Sequence, residues 1–177
     1  FQQLYSMVDT IIVGQTISTR ALSGVGATGA ISFLIIGFVQ GLTAGFSILP
    51  SQFFGGKDTE NVRRSVGVSY KLSVYFSIII TIVAVATAMP LLRLMQTPET
   101  ILPYAYDYIV TIYMGLSATV FYNIVSYQLR AVGDSRTPLY FLIFASLLNV
   151  GLDFLFILYF HMGVAGAGWA TVISQAL

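Results

Sequence analysis

Three of the seven acidic residues, Asp9, Asp107 and Asp153, fall inside apolar stretches rather than in polar loops. An ionised Asp at the centre of a bilayer costs at least about 2.5–3.5 kcal/mol, so such a group faces a wet cavity or a partner. Asn149 stands four residues before Asp153 and therefore shares its helical face. No Lys or Arg stands at a depth that would neutralise Asp9 or Asp153, which leaves a proton or a metal cation as the compensating charge. Asp107 lies close to the start of its stretch, where a carboxylate can snorkel to the headgroups. The remaining acids, Asp58, Glu60, Glu99 and Asp134, lie in loops and need no special account.

The elements that position these groups follow from composition. The 177 residues are 56% hydrophobic and 8% charged, with a mean hydropathy of +0.84. Soluble domains are roughly a quarter charged, so this chain lacks the polar groups to cover a surface in water. A spanning helix needs roughly 20 apolar residues. The expected fold is all-α, a polytopic bundle of about six transmembrane helices. The spans read as 1–14, 22–54, 66–92, 103–129, 139–160 and a sixth from residue 164, separated by short turns at 55–58, 96–99 and 130–137. Short loops make sequential helices antiparallel neighbours. The second span is rich in glycine, and Gly37, Gly41 and Gly45 at four-residue spacing read as a smooth packing groove.

Helical rise sets the depths. Asp153 lies about 10 Å below the outer end of span five, and Asp9 about 7–8 Å below that of span one. Asp107 and Tyr108 lie about 6–8 Å into span four, and Thr171 about 12 Å into span six. Four helices thus bring polar groups to one level of the outer leaflet. Asn123 lies deep in span four beside Tyr122, where an interhelical hydrogen bond explains it nearly as well as a functional role.

Loop charge sets the orientation. Lys57, Arg63, Arg64 and Lys71 follow span two, and Arg130 and Arg136 follow span four; the other side has Arg20 and Arg93. Six against two places loops 55–65 and 130–138 in the cytoplasm, and the expected location is the plasma membrane. The sequence holds no Cys and a single His, His161, so thiolate or histidine-cluster metal sites are excluded. No phosphate-cradling Gly loop, metalloprotease motif or nucleophile elbow is present, and the net charge of +1 calls for no nucleic-acid partner. The expectation is a protein that is not an enzyme and carries no cofactor. The first residues show no initiator Met or signal, and the last lie in an apolar helical pattern, which reads as a segment of a longer protein, truncated at both ends.

Several segments resemble the MATE (multidrug and toxic compound extrusion) family. Met7-Val8-Asp9-Thr10-Ile11-Ile12-Val13-Gly14 with Ala21-Leu22-Ser23-Gly24-Val25-Gly26 is similar to the end of its first helix and the start of its second. The run from Leu129 through Arg130-Ala131-Val132-Gly133-Asp134-Ser135-Arg136-Thr137 to Pro138 resembles its loop between helices four and five. Leu148-Asn149-Val150-Gly151-Leu152-Asp153 and the run from Gly163 to Gln175 resemble helices five and six. With the Gly-Gly-Lys-Asp turn at 55–58, the likeness covers the chain in order.

The resemblance implies a twelve-helix transporter in two lobes, with residues 1–177 as its N-terminal transmembrane lobe. It implies export of amphipathic or cationic organic compounds, drugs among them, in exchange for Na⁺ or H⁺. By motif position Asp9, Asn149, Asp153 and Thr171 match the cation or proton site, Tyr108 a tyrosine of that network, and Asn123 an asparagine of the substrate cavity. The implied partners are small organic molecules, the bilayer and the chain's own C-terminal lobe, as a monomer. Phe154 stands where many relatives have Pro, which puts a local helix bend in question; Gly56 and Gly168 replace the commoner Ala. Two rival readings differ in what they need. A lipid-linked saccharide flippase of related plan would want a basic cavity, and a non-transporting scaffold has no use for carboxylates at one depth on separate helices.

Overall fold

In hydrocarbon every backbone polar group must find its partner within the chain, which makes helices the solution for a sequence this apolar. The computed structural model describes the backbone of residues 2–177 and, within it, the side chains of Met7 and of residues 10–177. Among the described residues there is no strand. The α-helices are α1 (Gln2–Thr16), α2 (Thr19–Ala27), α3 (Gly29–Gly45), α4 (Ile48–Gly55), α5 (Thr59–Leu94), α6 (Leu102–Met114), α7 (Leu116–Ala131), α8 (Arg136–Phe154) and α9 (Gly163–Ala176); a π-helical stretch, Leu155–Tyr159, continues α8.

These segments amount to the predicted spans with breaks in them. Gly29–Gly55, Thr59–Leu94 and Arg136–Tyr159 are each long and apolar enough to cross a membrane, and α6 with α7 makes a fourth span bent by 47°. The first and sixth spans are represented by helices of 15 and 14 residues.

The second span, expected as one helix, breaks twice. The break between α3 and α4 has a covalent cause. The Phe46 carbonyl would accept from the N–H four residues on, but that residue is Pro50, which has none. Ser69 Oγ of α5 donates to the Phe46 carbonyl at 3.0 Å and Gln128 Nε2 of α7 at 3.3 Å. Two other helices, α5 and α7, therefore meet at one freed acceptor.

Three spans end by one device. Asp58 N–H bonds the Phe53 carbonyl and Lys57 N–H that of Phe54; the same pair of bonds closes at Thr97 and Gln96, and at Asp134 and Gly133. The left-handed residue falls on Lys57, Gln96 and Gly133 respectively, at φ 57°, 55° and 90°. New helices start on acidic caps. Asp58 accepts from the Asn61 amide at 3.1 Å and from its side chain at 2.7 Å, and these bonds hold its carboxyl below the usual range. Asp134 accepts from Thr137 and Arg136, with Thr137 the larger cause of the same depression.

Packing divides into two apolar clusters. Ile31 and Val39 of α3, Ile80, Ala84, Ala88 and Leu92 of α5, and residues of α6 and α7 form the larger. Ile12 and Val13 of α1, Val25 of α2, Tyr108 of α6, Ile157 and Val164 form the second, around the start of α9. Spans four and five are sequential but not close neighbours, because α9 lies between α7 and α8 and touches both more extensively than they touch each other.

The glycine groove expected on the second span is not a packing surface within the chain. Gly37, Gly41 and Gly45 are exposed, with open space where a Cβ would sit. The close approach occurs at Gly115 instead, at the α6–α7 bend, where a Cβ would run into the Val172 side chain of α9.

Candidate functional site

The site is built where α8, α9 and α6 converge. α8 places Asn149 and Asp153 one turn apart on the face turned inward, and they are 1% and 0% exposed. α9 packs along α8 and turns Thr171 towards that face. Asn149 Nδ2 donates to Thr171 Oγ1 at 3.2 Å. The Asn149 amide oxygen is buried and accepts no hydrogen bond among the described residues. That oxygen is a ready acceptor or cation ligand, since an unsatisfied buried polar group is unfavourable.

Tyr108 of α6 is buried in the cluster that also holds Ile157, Val164 and Ala167. It sits at this level because α6 and α9 nearly touch. A Cβ on Gly168 would lie 2.8 Å from Thr111 Cγ2 and 3.6 Å from the Tyr108 carbonyl. α1, which carries Asp9, packs against α8, α9 and the π-helical stretch. The Asp9 side chain lies outside the described residues. Asp107 is exposed beside buried Tyr108, as a carboxylate that reaches the headgroups would be.

The π-helical stretch begins two residues after Asp153, and Phe160 N–H closes it on the Leu155 carbonyl at 3.1 Å. The helix thus changes geometry after Asp153 without a proline at position 154. Such insertions concentrate at functional positions because they re-aim the side chains around them.

Among the described residues Asp153 is the one charged side chain that is buried, and no Lys or Arg is buried with it. The neighbouring oxygen donors are an amide and a hydroxyl, together a hard, oxygen-only set of the kind that suits a proton or an alkali cation.

Asn123 belongs to a different level. Thr119 Oγ1 of α7 donates to Gln175 Oε1 of α9 at 2.7 Å. Gln175 is one turn beyond Thr171 and Asn123 one turn beyond Thr119, so Asn123 lies about 12 Å deeper than the Asn149–Thr171 bond. It is buried at 6%. A cleft of about 480 Å³ opens between α7, α8 and the end of α9, with Phe121, Tyr122, Phe141 and Phe144 on its walls and Ser126, Ser174 and Gln175 among its polar groups; Asn123 is not one of its lining residues.

Sequence reasoning missed Thr119, Ser174 and Gln175. Ser174 is buried and donates to the Thr171 carbonyl at 2.9 Å. Their signal was available: Ser174 and Gln175 stand three and four residues after Thr171, on the same face.

Comparison with known proteins agrees with this architecture. The MatE family profile matches residues 1–155. Probable multidrug resistance protein YpnP of Bacillus subtilis is 32% identical over 176 residues, which is 99% of this chain and 40% of that protein. A crystal structure of MATE in the bent conformation superposes with a TM-score of 0.92 at 29% identity, over 98% of this chain and 39% of that one. An inward-facing multidrug resistance MATE family transporter of the MOP superfamily superposes with a TM-score of 0.91 at 28% identity, over 99% and 40% of the two chains. The chain thus spans about two fifths of the length of the relatives it matches. It is a multi-pass membrane protein, and it belongs to the MatE family.

Proposed function

We propose that residues 1–177 form the N-terminal lobe of a secondary-active antiporter of the plasma membrane. It exports amphipathic or cationic organic compounds, drugs among them, in exchange for Na⁺ or H⁺, with loops 55–65 and 130–138 in the cytoplasm. The observation that carries this reading is the buried trio on α8 and α9: the carboxyl of Asp153 fully buried one turn from Asn149, and Asn149 bonded to Thr171 with its amide oxygen accepting no hydrogen bond among the described residues. Family membership and the multidrug-resistance name of YpnP support the substrate class. The absence of buried Lys or Arg among the described residues weighs against an anionic lipid-linked substrate in this lobe.

In this mechanism Asp9 and Asp153 form the negative site, with Asn149, Thr171 and Tyr108 completing it, and Asn123 lines the substrate cavity. Two carboxylates close together in a low-dielectric site resist double ionisation and so hold a proton or a monovalent cation. The coupling ion and a cationic drug compete for one charge, and each biases the equilibrium between inward- and outward-open states through its differential affinity. The test is efflux of a fluorescent cationic dye from proteoliposomes of the full-length protein under an imposed Na⁺ or pH gradient. Asp153→Asn keeps the shape and removes the charge, so gradient-driven efflux is lost at equal protein level, while Asp107→Asn does much less. Wild-type efflux in Asp153→Asn would overturn the assignment.

A further inference from the structure

At the opposite end of the bundle from Asp153, a groove of about 350 Å³ runs between the α3–α4 break and the first turns of α5. Its character changes along its length. Arg64 stands at the mouth, and Phe46, Leu49, Phe53, Val68 and Leu72 line the rest. Arg64, Val68 and Leu72 are at four-residue spacing, so the groove follows one face of α5 from charge to hydrocarbon over about 12 Å. The floor is open where Gly45 lacks a side chain, since a Cβ there would meet nothing within 4 Å.

The depth of the mouth follows from the length of α5. Its 36 residues extend about 54 Å, well beyond a hydrocarbon core of about 30 Å. The charged Arg63, Arg64 and exposed Lys71 keep the first turns of α5 at the headgroup layer, and the apolar run that starts at Leu72 leads into the acyl layer. The other polar groups at the mouth are committed. Asp58 is occupied in capping Asn61, Ser65 Oγ donates to Val62 and Ser69 Oγ to Phe46. Arg64 is exposed at this mouth, with Glu60 one turn before it.

We infer that this groove holds one anionic phospholipid, its phosphate on Arg64 and an acyl chain along Leu49, Val68 and Leu72. A cation at headgroup depth above an apolar trough is complementary to that amphiphile and to neither a soluble anion nor a neutral chain alone. The test is native mass spectrometry of the detergent-solubilised protein with phosphatidylglycerol and phosphatidylcholine of identical chains. Phosphatidylglycerol is retained about fivefold better, the weight of one interfacial cation. Arg64→Ala removes that preference, Arg64→Lys keeps part of it, and Val68→Trp, which fills the trough, lowers retention of both lipids. Arg136→Ala, on the same membrane side but outside the groove, leaves it unchanged. Equal retention of the two lipids, equal loss with Arg136→Ala, or full displacement by glycerol phosphate lacking acyl chains would each overturn the assignment.

Discussion

Asn149 on α8 and Thr171 on α9 are joined by a 3.2 Å hydrogen bond from Asn149 Nδ2 to Thr171 Oγ1, between two residues that are almost wholly buried. The bond leaves the amide oxygen of Asn149 open, one helical turn from Asp153. It fixes which end of the amide faces which helix, and so which atom is offered to a proton or cation.

Removing the hydroxyl separates these two consequences. Thr171→Val strands a buried donor, which destabilises by about 1–3 kcal/mol, less where a partner is found elsewhere within the bilayer. Thr171→Ser retains the oxygen and restores most of it. Thermal unfolding in detergent reads the stability. Dye efflux under a gradient then falls in Thr171→Val more than in a variant of equal stability altered far from the site, such as one at Leu92. Equal efflux in the two variants argues for a packing role alone.

Gly115 and Val172 make a second pair whose coupling is measurable. A methyl group at Gly115 overlaps Val172, so Gly115→Ala forces α9 away from the α6–α7 bend at about 1–3 kcal/mol. Val172→Ala vacates the same space. The double variant is therefore more stable than the sum of the single effects predicts, by more than the few tenths of a kcal/mol expected of independent sites. Additive unfolding midpoints would show that the bend yields without strain.

The break in the second span gives a third prediction. Ser69→Ala and Gln128→Leu each remove one donor from the Phe46 carbonyl, and each alone has a small effect because the other remains. Together they leave the carbonyl bare in a protein interior at about 1–3 kcal/mol. Pro50→Ala supplies an N–H four residues on, restores the helical bond and rescues the double variant. Hydrogen exchange at residues 47–51 reports the change directly, slowing in Pro50→Ala.

How much of this was legible beforehand is clearest at α8. A carboxylate in an apolar run, with an Asn one turn earlier, is a pattern in one dimension, and helical periodicity converts it into a shared inward face without further information. Thr171 followed from depth on a second helix and the structure brings it to Asn149. The apolar spans and their short loops were equally local, whereas Asp58 and Asp134 were read as loop acids and the structure shows them bonded to the first amides of α5 and α8. Asn123 was read as deep in span four, and the structure places it buried in α7, below the Thr119–Gln175 bond.

Composition and periodicity alone determined that this chain is a helical membrane bundle, and spacing alone picked out the inward face of α8. Only the tertiary structure decided which small residues are contacts and which are surface. Gly37, Gly41 and Gly45 carry the packing pattern yet face outward, while isolated Gly115 admits Val172. It also decided that α9 separates α7 from α8, and that Phe46 finds its donors on α5 and α7. The physical reason is common to all three. A helix settles its own backbone within one turn, so its existence is written locally, whereas the partner of a bare carbonyl or a missing side chain is chosen by residues tens of positions away.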